Sequence, residues 1–210
     1  MLESPAQRLP RGRHGLPRDE VENAQRFRVL IAMAEAMHDK GYVGTPVAEV
    51  LKRAGVSRET FYQLFSSKLD CFLAAFDLVG EGLLGQLGTV IEGGTGTRLE
   101  RFERTLNAYL EVLASQPAYA RLFLVEVYAA GPEAMQRRAA LQRRFADAIG
   151  DMLGAQNDSD RFACQVVAAA VGAMVTGPLV ANDPDALRRL GPLILDHVRR
   201  LTAGNAFFVS

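Results

Sequence analysis

Thr45-Pro46-Val47-Ala48-Glu49-Val50-Leu51-Lys52-Arg53-Ala54-Gly55-Val56-Ser57-Arg58-Glu59-Thr60-Phe61-Tyr62-Gln63-Leu64-Phe65-Ser66-Ser67-Lys68 is the stretch whose reading decides the fold. Two helix starts stand close together in it. Thr45 has the chemistry of an N-cap, and Pro46 suits the first helical position, where a missing N–H leaves nothing unpaired. Val47, Val50 and Leu51 then share one helical face. Ala54-Gly55-Val56 ends that helix, Gly55 supplying the backbone freedom the turn needs. Ser57 caps a second short helix whose inward positions are Val56, Phe61, Leu64 and Phe65. Two short helices joined by a glycine turn predict a helix-turn-helix, whose second helix enters the major groove of DNA.

The outer face of that second helix carries Arg58, Thr60, Tyr62 and Gln63. Hydroxyls, an amide and a guanidinium are groups that bond base edges and phosphates. Ser66-Ser67-Lys68 then opens another helix. A lysine in a first turn opposes the helix dipole and calls for a negative partner, such as a phosphate.

Val47-Ala48-Glu49-Val50, the run Ala54 to Tyr62, and Phe65-Ser66-Ser67-Lys68 together resemble the DNA-binding domain of the TetR family of transcriptional regulators, over roughly residues 26–77. The resemblance implies an all-α chain of about nine helices, with an N-terminal three-helix helix-turn-helix domain and a larger helical ligand-binding and dimerisation domain. It implies that Thr45, Tyr62 and Lys68 hold phosphates, while Arg58, Thr60 and Gln63, beside Ser57, face base edges. Leu64 stands where the family often carries histidine, so that position reads no polar base edge. It also implies a repressor that binds a palindromic operator as a homodimer and is released by a small apolar or amphipathic ligand.

Composition permits this reading without demanding it. The 210 residues include 24 basic and 24 acidic side chains, which cancel. Global neutrality weighs against a nucleic-acid binder, but over a Debye length of ~10 Å only the local patch matters. Arg8, Arg11, Arg13 and Arg18 stand in a stretch with no acid. Pro5, Pro10 and Pro17 discourage helix there, so residues 1–18 are predicted to form a flexible basic arm. Arg11 and Arg13 are its candidates for the minor groove, with a solvated tail as the alternative. Cys71 and Cys164 are the only cysteines, beside apolar neighbours, and read as reduced core thiols without metal spacing. No run approaching the ~20 apolar residues of a membrane span is read, nor an apolar signal core, so a cytoplasmic location is expected. No cofactor is expected. Residues of a nucleophilic triad or of a metal cluster do not stand out, and Glu92-Gly93-Gly94-Thr95-Gly96-Thr97 lacks both a preceding strand and a Walker lysine, so it reads as a linker rather than a nucleotide loop.

Helical stripes fill the rest. Asp19 to about Lys40 carries Val21, Phe27, Leu30, Ile31, Ala34 and Met37, closing at Gly41 and buttressing residues 45–65. Residues 19–66 are thus assigned to the DNA-binding domain and 67–210 to the second domain. Ser67 to about Ile91 is a long fourth helix, with glycines weakening its second half. Thr97 to about Ser115 is the fifth, and Ala118 to Ala130, apolar all round, the sixth. Glu133 to about Leu153, Asp158 or Ser159 to Thr176, and Asp183 or Asp185 to about Ala203 complete the set, with Phe207 and Phe208 docking from the tail. The doublets Arg137-Arg138 and Arg143-Arg144 read as a solvated face.

A single short recognition helix binds weakly, so a homodimer is expected, formed through the last two helices by small residues of the eighth and the leucine stripe of the ninth. In the proteins this chain resembles, the middle helices surround a small-molecule effector. Phe102, Leu106, Tyr109, Phe123, Glu126, Val127 and Tyr128 are the candidate lining, Glu126 being a polar anchor or else a partner of Arg121 or Arg138. The competing reading is a helical lipid carrier or interaction protein without specific DNA binding, which leaves the Thr45 to Lys68 pattern without a purpose.

Overall fold

The computed structural model describes residues 17–203. Among them the chain forms nine α-helices and no strand: α1 (Arg18–Gly44), α2 (Val47–Ala54), α3 (Arg58–Leu64), α4 (Lys68–Glu92), α5 (Arg98–Ser115), α6 (Pro117–Leu124), α7 (Pro132–Leu153), α8 (Asp158–Ala181) and α9 (Pro184–Ala203). A 3₁₀ turn, Glu126–Tyr128, follows α6. The chain is all-α, as the pattern predicts. The arm with Arg8, Arg11 and Arg13, and the tail with Phe207 and Phe208, lie outside the described residues.

Helix α1 buries more than its predicted stripe. Leu30, Ala34 and Met37 are buried, and so are Val29, Met33 and Ala36 on the neighbouring face. The helix therefore packs on two sides, against α2 in one direction and against α4 and α6 in the other. Buried side chains from Val29 to Val198 form one continuous cluster.

The helical backbone of α1 breaks at Gly41, whose φ of 69° and ψ of 169° belong to a region open essentially to glycine alone. One further turn reaches Gly44. Thr45 does not cap α2. Its hydroxyl donates backwards, to the Gly41 carbonyl at 2.7 Å and the Ala36 carbonyl at 3.2 Å, and the side chain is fully buried. The last carbonyls of a helix lack intrahelical donors, and a hydroxyl four residues beyond Gly41 supplies one. Pro46 takes the N-cap place instead.

The helix-turn-helix forms as written in the sequence. Gly55 turns at φ 65°, and the Ser57 hydroxyl accepts the Thr60 N–H at 3.0 Å. Phe61 and Phe65 are buried with ring centroids 5.5 Å apart. Arg26 on α1 finishes the unit, lying over the Phe65 ring and donating to the Leu64 carbonyl at the end of α3.

Helix α4 runs unbroken, so its glycines do not bend it. Gly80 instead admits α7, since a Cβ there would stand 2.5 Å from Leu141. Ion pairs Asp77–Arg137 and Glu81–Arg144 tie the same two helices on the outside. Helix α5 opens with a reciprocal capping box between Thr97 and Glu100. The sixth helix stops at Leu124, six residues earlier than its apolar run predicts, because Glu126 is drawn aside to partners on α1 and α6 described below. Helix α8 continues through Pro178 to Ala181. Proline removes one helical bond, and the orphaned carbonyl belongs to Met174, whose side chain is exposed. Helix α9 packs along α5, with Arg188 gripping Glu111 at 2.9 Å.

Helices α4 and α8 are each long and apolar enough to cross a bilayer, which the sequence reading does not anticipate. Helix α4 is surrounded by α1, α5, α6 and α7, whereas α8 packs on α6, α7 and α9 and leaves an apolar side bare.

Gly41→Ala is expected to lower the unfolding free energy by about 1–3 kcal/mol in urea titration, through strain at positive φ. Gly85→Ala, in the open on α4, is expected to raise it by about 0.5–1 kcal/mol. Cys71 and Cys164 are both buried, and burial pushes the Cys71 thiol up to about 12 and raises that of Cys164. Both should react with a thiol-titrating reagent at pH 8 only after denaturant is added.

Candidate nucleic-acid interface and internal cavity

The exposed side of α3 presents Arg58, Tyr62 and Gln63, with Thr60 half-buried at its edge. Each is held by a neighbour on the same helix. Ser57 Oγ and Thr60 Oγ1 lie 2.9 Å apart, Gln63 donates to Glu59 at 3.4 Å, and the Arg58 guanidinium sits 5.7 Å from the Tyr62 ring. These contacts are weak and solvent-exposed, so they yield to a base edge or phosphate at little cost. On α2, Arg53 is engaged by Asp39 and Glu49, and Lys40 by the same Glu49. Their hydrogen bonds hold the Glu49 carboxyl below its ordinary range. Lys52 and Arg58 make no ion pair with a described residue, so they are the cations this surface has to offer.

Two expected phosphate contacts come out differently. Thr45 is buried and its hydroxyl is committed, so its side chain does not reach a phosphate. Lys68 Nζ donates to the Tyr42 carbonyl at 2.7 Å and the Thr45 carbonyl at 3.1 Å, and lies 4.1 Å from the Tyr42 ring centroid. Its negative partner is thus the carbonyl end of α1, which carries the negative pole of that helix. Burial lowers the Lys68 pKa, consistent with a side chain turned inward.

Glu126 closes the same corner from the other side. Its Oε2 accepts the Tyr42 N–H at 2.7 Å, and its Oε1 accepts from Arg121 Nη2 at 3.2 Å. A side chain on Gly41 would press on this carboxylate at 3.2 Å, a second reason for glycine there. Glu126 is therefore a bridge between the 3₁₀ turn and α1 rather than an anchor inside a cavity.

A cavity of about 200 Å³ lies between α4, α5 and α7, with α6 and α8 contributing to its wall. Of the candidate residues, Phe102, Leu106, Tyr109 and Phe123 line it. Glu126, Val127 and Tyr128 do not. The expectation continued helical phase past Leu124, but the 3₁₀ turn rotates the chain, burying Val127 elsewhere and leaving Tyr128 exposed. The sequence reading missed the faces contributed by Leu84, Leu87 and Ile91 on α4 and by Phe145, Ile149 and Met152 on α7. Their spacing was visible, but an apolar helical stripe looks the same whether it meets a neighbour or a void. Arg138 also departs from expectation. Arg137 pairs outward with Asp77, while Arg138 turns into the cavity wall and bonds Gln142. Burial raises the Tyr109 phenol well above its ordinary range, so its hydroxyl remains neutral.

A helix-turn-helix on the corner of a helical body with an internal apolar cavity is the architecture of a DNA-binding transcription regulator. Residues 30–75 match the family model for bacterial regulatory proteins of the tetR family. The chain is 27% identical over 153 residues to the HTH-type transcriptional activator FasR of Mycolicibacterium smegmatis, covering 73% of this chain and 68% of that one. Its fold is similar to that of the transcriptional regulator FadR from Bacillus subtilis, solved in complex with stearoyl-CoA, at a TM-score of 0.69 and 17% identity over 81% of this chain and 95% of that one. It is likewise similar to the TetR family regulator PfmR from Thermus thermophilus, at a TM-score of 0.63 and 20% identity over 80% and 97% of the two chains. Residues 30–75 thus match a DNA-binding domain of the tetR family type, and the chain is similar over most of its length to a transcription regulator.

Glu126→Ala leaves the Tyr42 N–H and Arg121 without their acceptor, and should cost about 2 kcal/mol in chemical denaturation. Glu126→Gln keeps a carbonyl for the amide and should recover part of that loss.

Proposed function

We propose that this protein binds a palindromic operator as a homodimer and answers to an apolar or amphipathic effector with an aliphatic portion. Residues 19–66 form the reading head, and residues 67–210 hold the effector and the partner copy. The observation that carries the proposal is the exposed, weakly held polar face of α3, set on a head that matches the family model.

Arg58, Thr60 and Gln63 meet base edges from this helix, with Ser57 and Tyr62 at the flanking phosphates. Lys68 has one ammonium proton left over for a phosphate, but its main work is structural. Phe162, Val166, Met174 and Val180 are exposed along α8, and Leu193 on α9. Ala169, Ala170 and Ala173 between them allow close approach, so the two helices pair with their symmetry mates in a four-helix bundle. That pairing also accounts for an apolar α8 without a membrane. Two heads joined in this way read half-sites about one helical turn of DNA apart, ~34 Å. Such a protein works beside the chromosome, in the cytoplasm.

The effector class is supported by the lining of the cavity and by the stearoyl-CoA complex of the B. subtilis relative. Occupancy shifts the population toward a spacing of heads that does not fit the operator, which makes the protein a repressor relieved by its ligand. An activator is the second reading, favoured by the name of the M. smegmatis relative.

Binding of the full-length protein to its own upstream DNA across a salt series tests this. Saturable, salt-sensitive binding to one short palindrome, lost in a Thr60→Ala, Tyr62→Ala double variant, is expected. Arg58→Ala should cost about 1–3 kcal/mol on that operator and less on scrambled DNA. No binding at low salt, or binding indifferent to the double variant, would overturn the proposal. In transcription from the same promoter, a fall on adding the protein marks a repressor and a rise an activator.

A further inference from the structure

We propose that the cavity takes an aliphatic chain bearing an anionic group at one end, with Arg138 holding that group. The inference rests on the effector reading above and adds to it the charge and the direction of the ligand.

Among the described residues, Arg138 is the only charged side chain on the cavity wall. No carboxylate of a described residue lies within ion-pair distance of it. Its contacts are a hydrogen bond of 3.3 Å from Nη1 to Gln142 and the face of the Tyr128 ring, 4.9 Å away, while its Nε is buried without a partner. A guanidinium carries five N–H donors and cannot shed its charge in a protein. Arg138 is half-buried, and where its guanidinium lies against the apolar wall it has no counter-charge, which an incoming anion supplies. Arg121, Arg137, Arg144 and Arg188, by contrast, each have an acidic partner; the Nε atoms of Arg28, Arg101 and Arg121 are also buried without a hydrogen-bond partner, but none of those three side chains lines the cavity.

Apart from Thr105, whose hydroxyl is committed to the Arg101 carbonyl within α5, the polar side chains of the wall gather at one end. Along α7, Arg138 and Gln142 come first, followed by Phe145, Ile149 and Met152. On α5 the order runs from Phe102 to Tyr109, and Arg138 is close enough to oppose the rise in the Tyr109 pKa. Gly172 on α8 lies by the Arg138 guanidinium. Helices α4 and α5 are joined by the short turn beyond Glu92, so Ile91 and Phe102 stand together at the opposite, apolar end. The slot is polar at Arg138, Gln142 and Tyr109 and hydrocarbon at Ile91, Phe102 and Met152. A ligand seated in it puts its anion at the first end and its tail at the second. At ~30 Å³ for a water-sized unit, 200 Å³ holds about seven such units, so an eight-carbon chain is a suitable probe.

Calorimetric titration of the full-length protein with octanoate, octan-1-ol, octylamine and octanoyl-CoA tests the inference. Octanoate should bind at least about tenfold more tightly than octan-1-ol, the expected scale for a charge-assisted bond, and octylamine more weakly than either. In Arg138→Ala and Arg138→Gln the acid and the alcohol should fall within about twofold of each other. The alcohol's own affinity should hold, which shows that the slot is still formed. If octanoyl-CoA exceeds octanoate and loses at least tenfold in the same variants, the anion is the coenzyme's phosphate; the reverse order assigns it to a free carboxylate. Equal binding of acid and alcohol by the unaltered protein, or a preference for acid that survives both variants, overturns the inference and leaves the effector reading in place. Failure of all four probes to bind a protein that still holds its operator would overturn both.

Discussion

The carbonyl end of α1, residues 41–45, is the point on which the arrangement depends. A helix terminus brings several unpaired backbone groups with it. Here they are satisfied from three directions: by the Thr45 hydroxyl within the head, by the Lys68 ammonium from α4, and by the Glu126 carboxylate from the 3₁₀ turn. The sharp Gly41 bend makes room for that carboxylate. Satisfying one helix end thus adds a polar tie to the apolar packing of α1 on α4 and α6 that joins the helix-turn-helix to the body.

One of the three, Lys68, belongs to a helix that also walls the cavity, and Glu126 directly follows another. Lys68 begins α4, and Leu84 lies sixteen residues further along the same helix, ~24 Å away at 1.5 Å per residue. Phe123 and Leu124 line the cavity, and Glu126 follows them directly. A change in the width of the cavity therefore has two stiff routes to the same corner. Interior packing does not deform continuously, so displaced walls move helices rather than merely compress. The outer ion pairs Asp77–Arg137 and Glu81–Arg144 join α4 and α7 on the solvent side.

How far the sequence could be read follows from the range of each interaction. Caps, turns and stripes are local, so Ser57, Gly55, Thr97 and the apolar faces of α3, α5 and α9 were legible. The second buried face of α1 was not, because it depends on α6, which lies some eighty residues away. Thr45 misled for the same reason. A threonine before Pro-Val-Ala-Glu has cap chemistry, but the neighbouring carbonyls of α1 compete for its hydroxyl and win. Glu126 looked like an interruption in an apolar helix, and only the position of the Tyr42 N–H explains why the helix ends there. In the cavity, four lining residues followed from continued helical phase, and the rest required knowing where packing leaves a gap. Arg138 differs from Arg137 by a single step of 100° around α7, a distinction that charge patterning alone does not make.

Amide hydrogen exchange at Tyr42 in the free, full-length protein tests the central claim, that the head is locked to the body through this corner. If the Lys68 and Glu126 contacts act as described, this amide opens only with the body, at a free energy within about 1 kcal/mol of that for the slowest amides of α5 and α7. Exchange at Tyr42 through a local opening several kcal/mol easier, while α5 and α7 stay protected, would contradict the account.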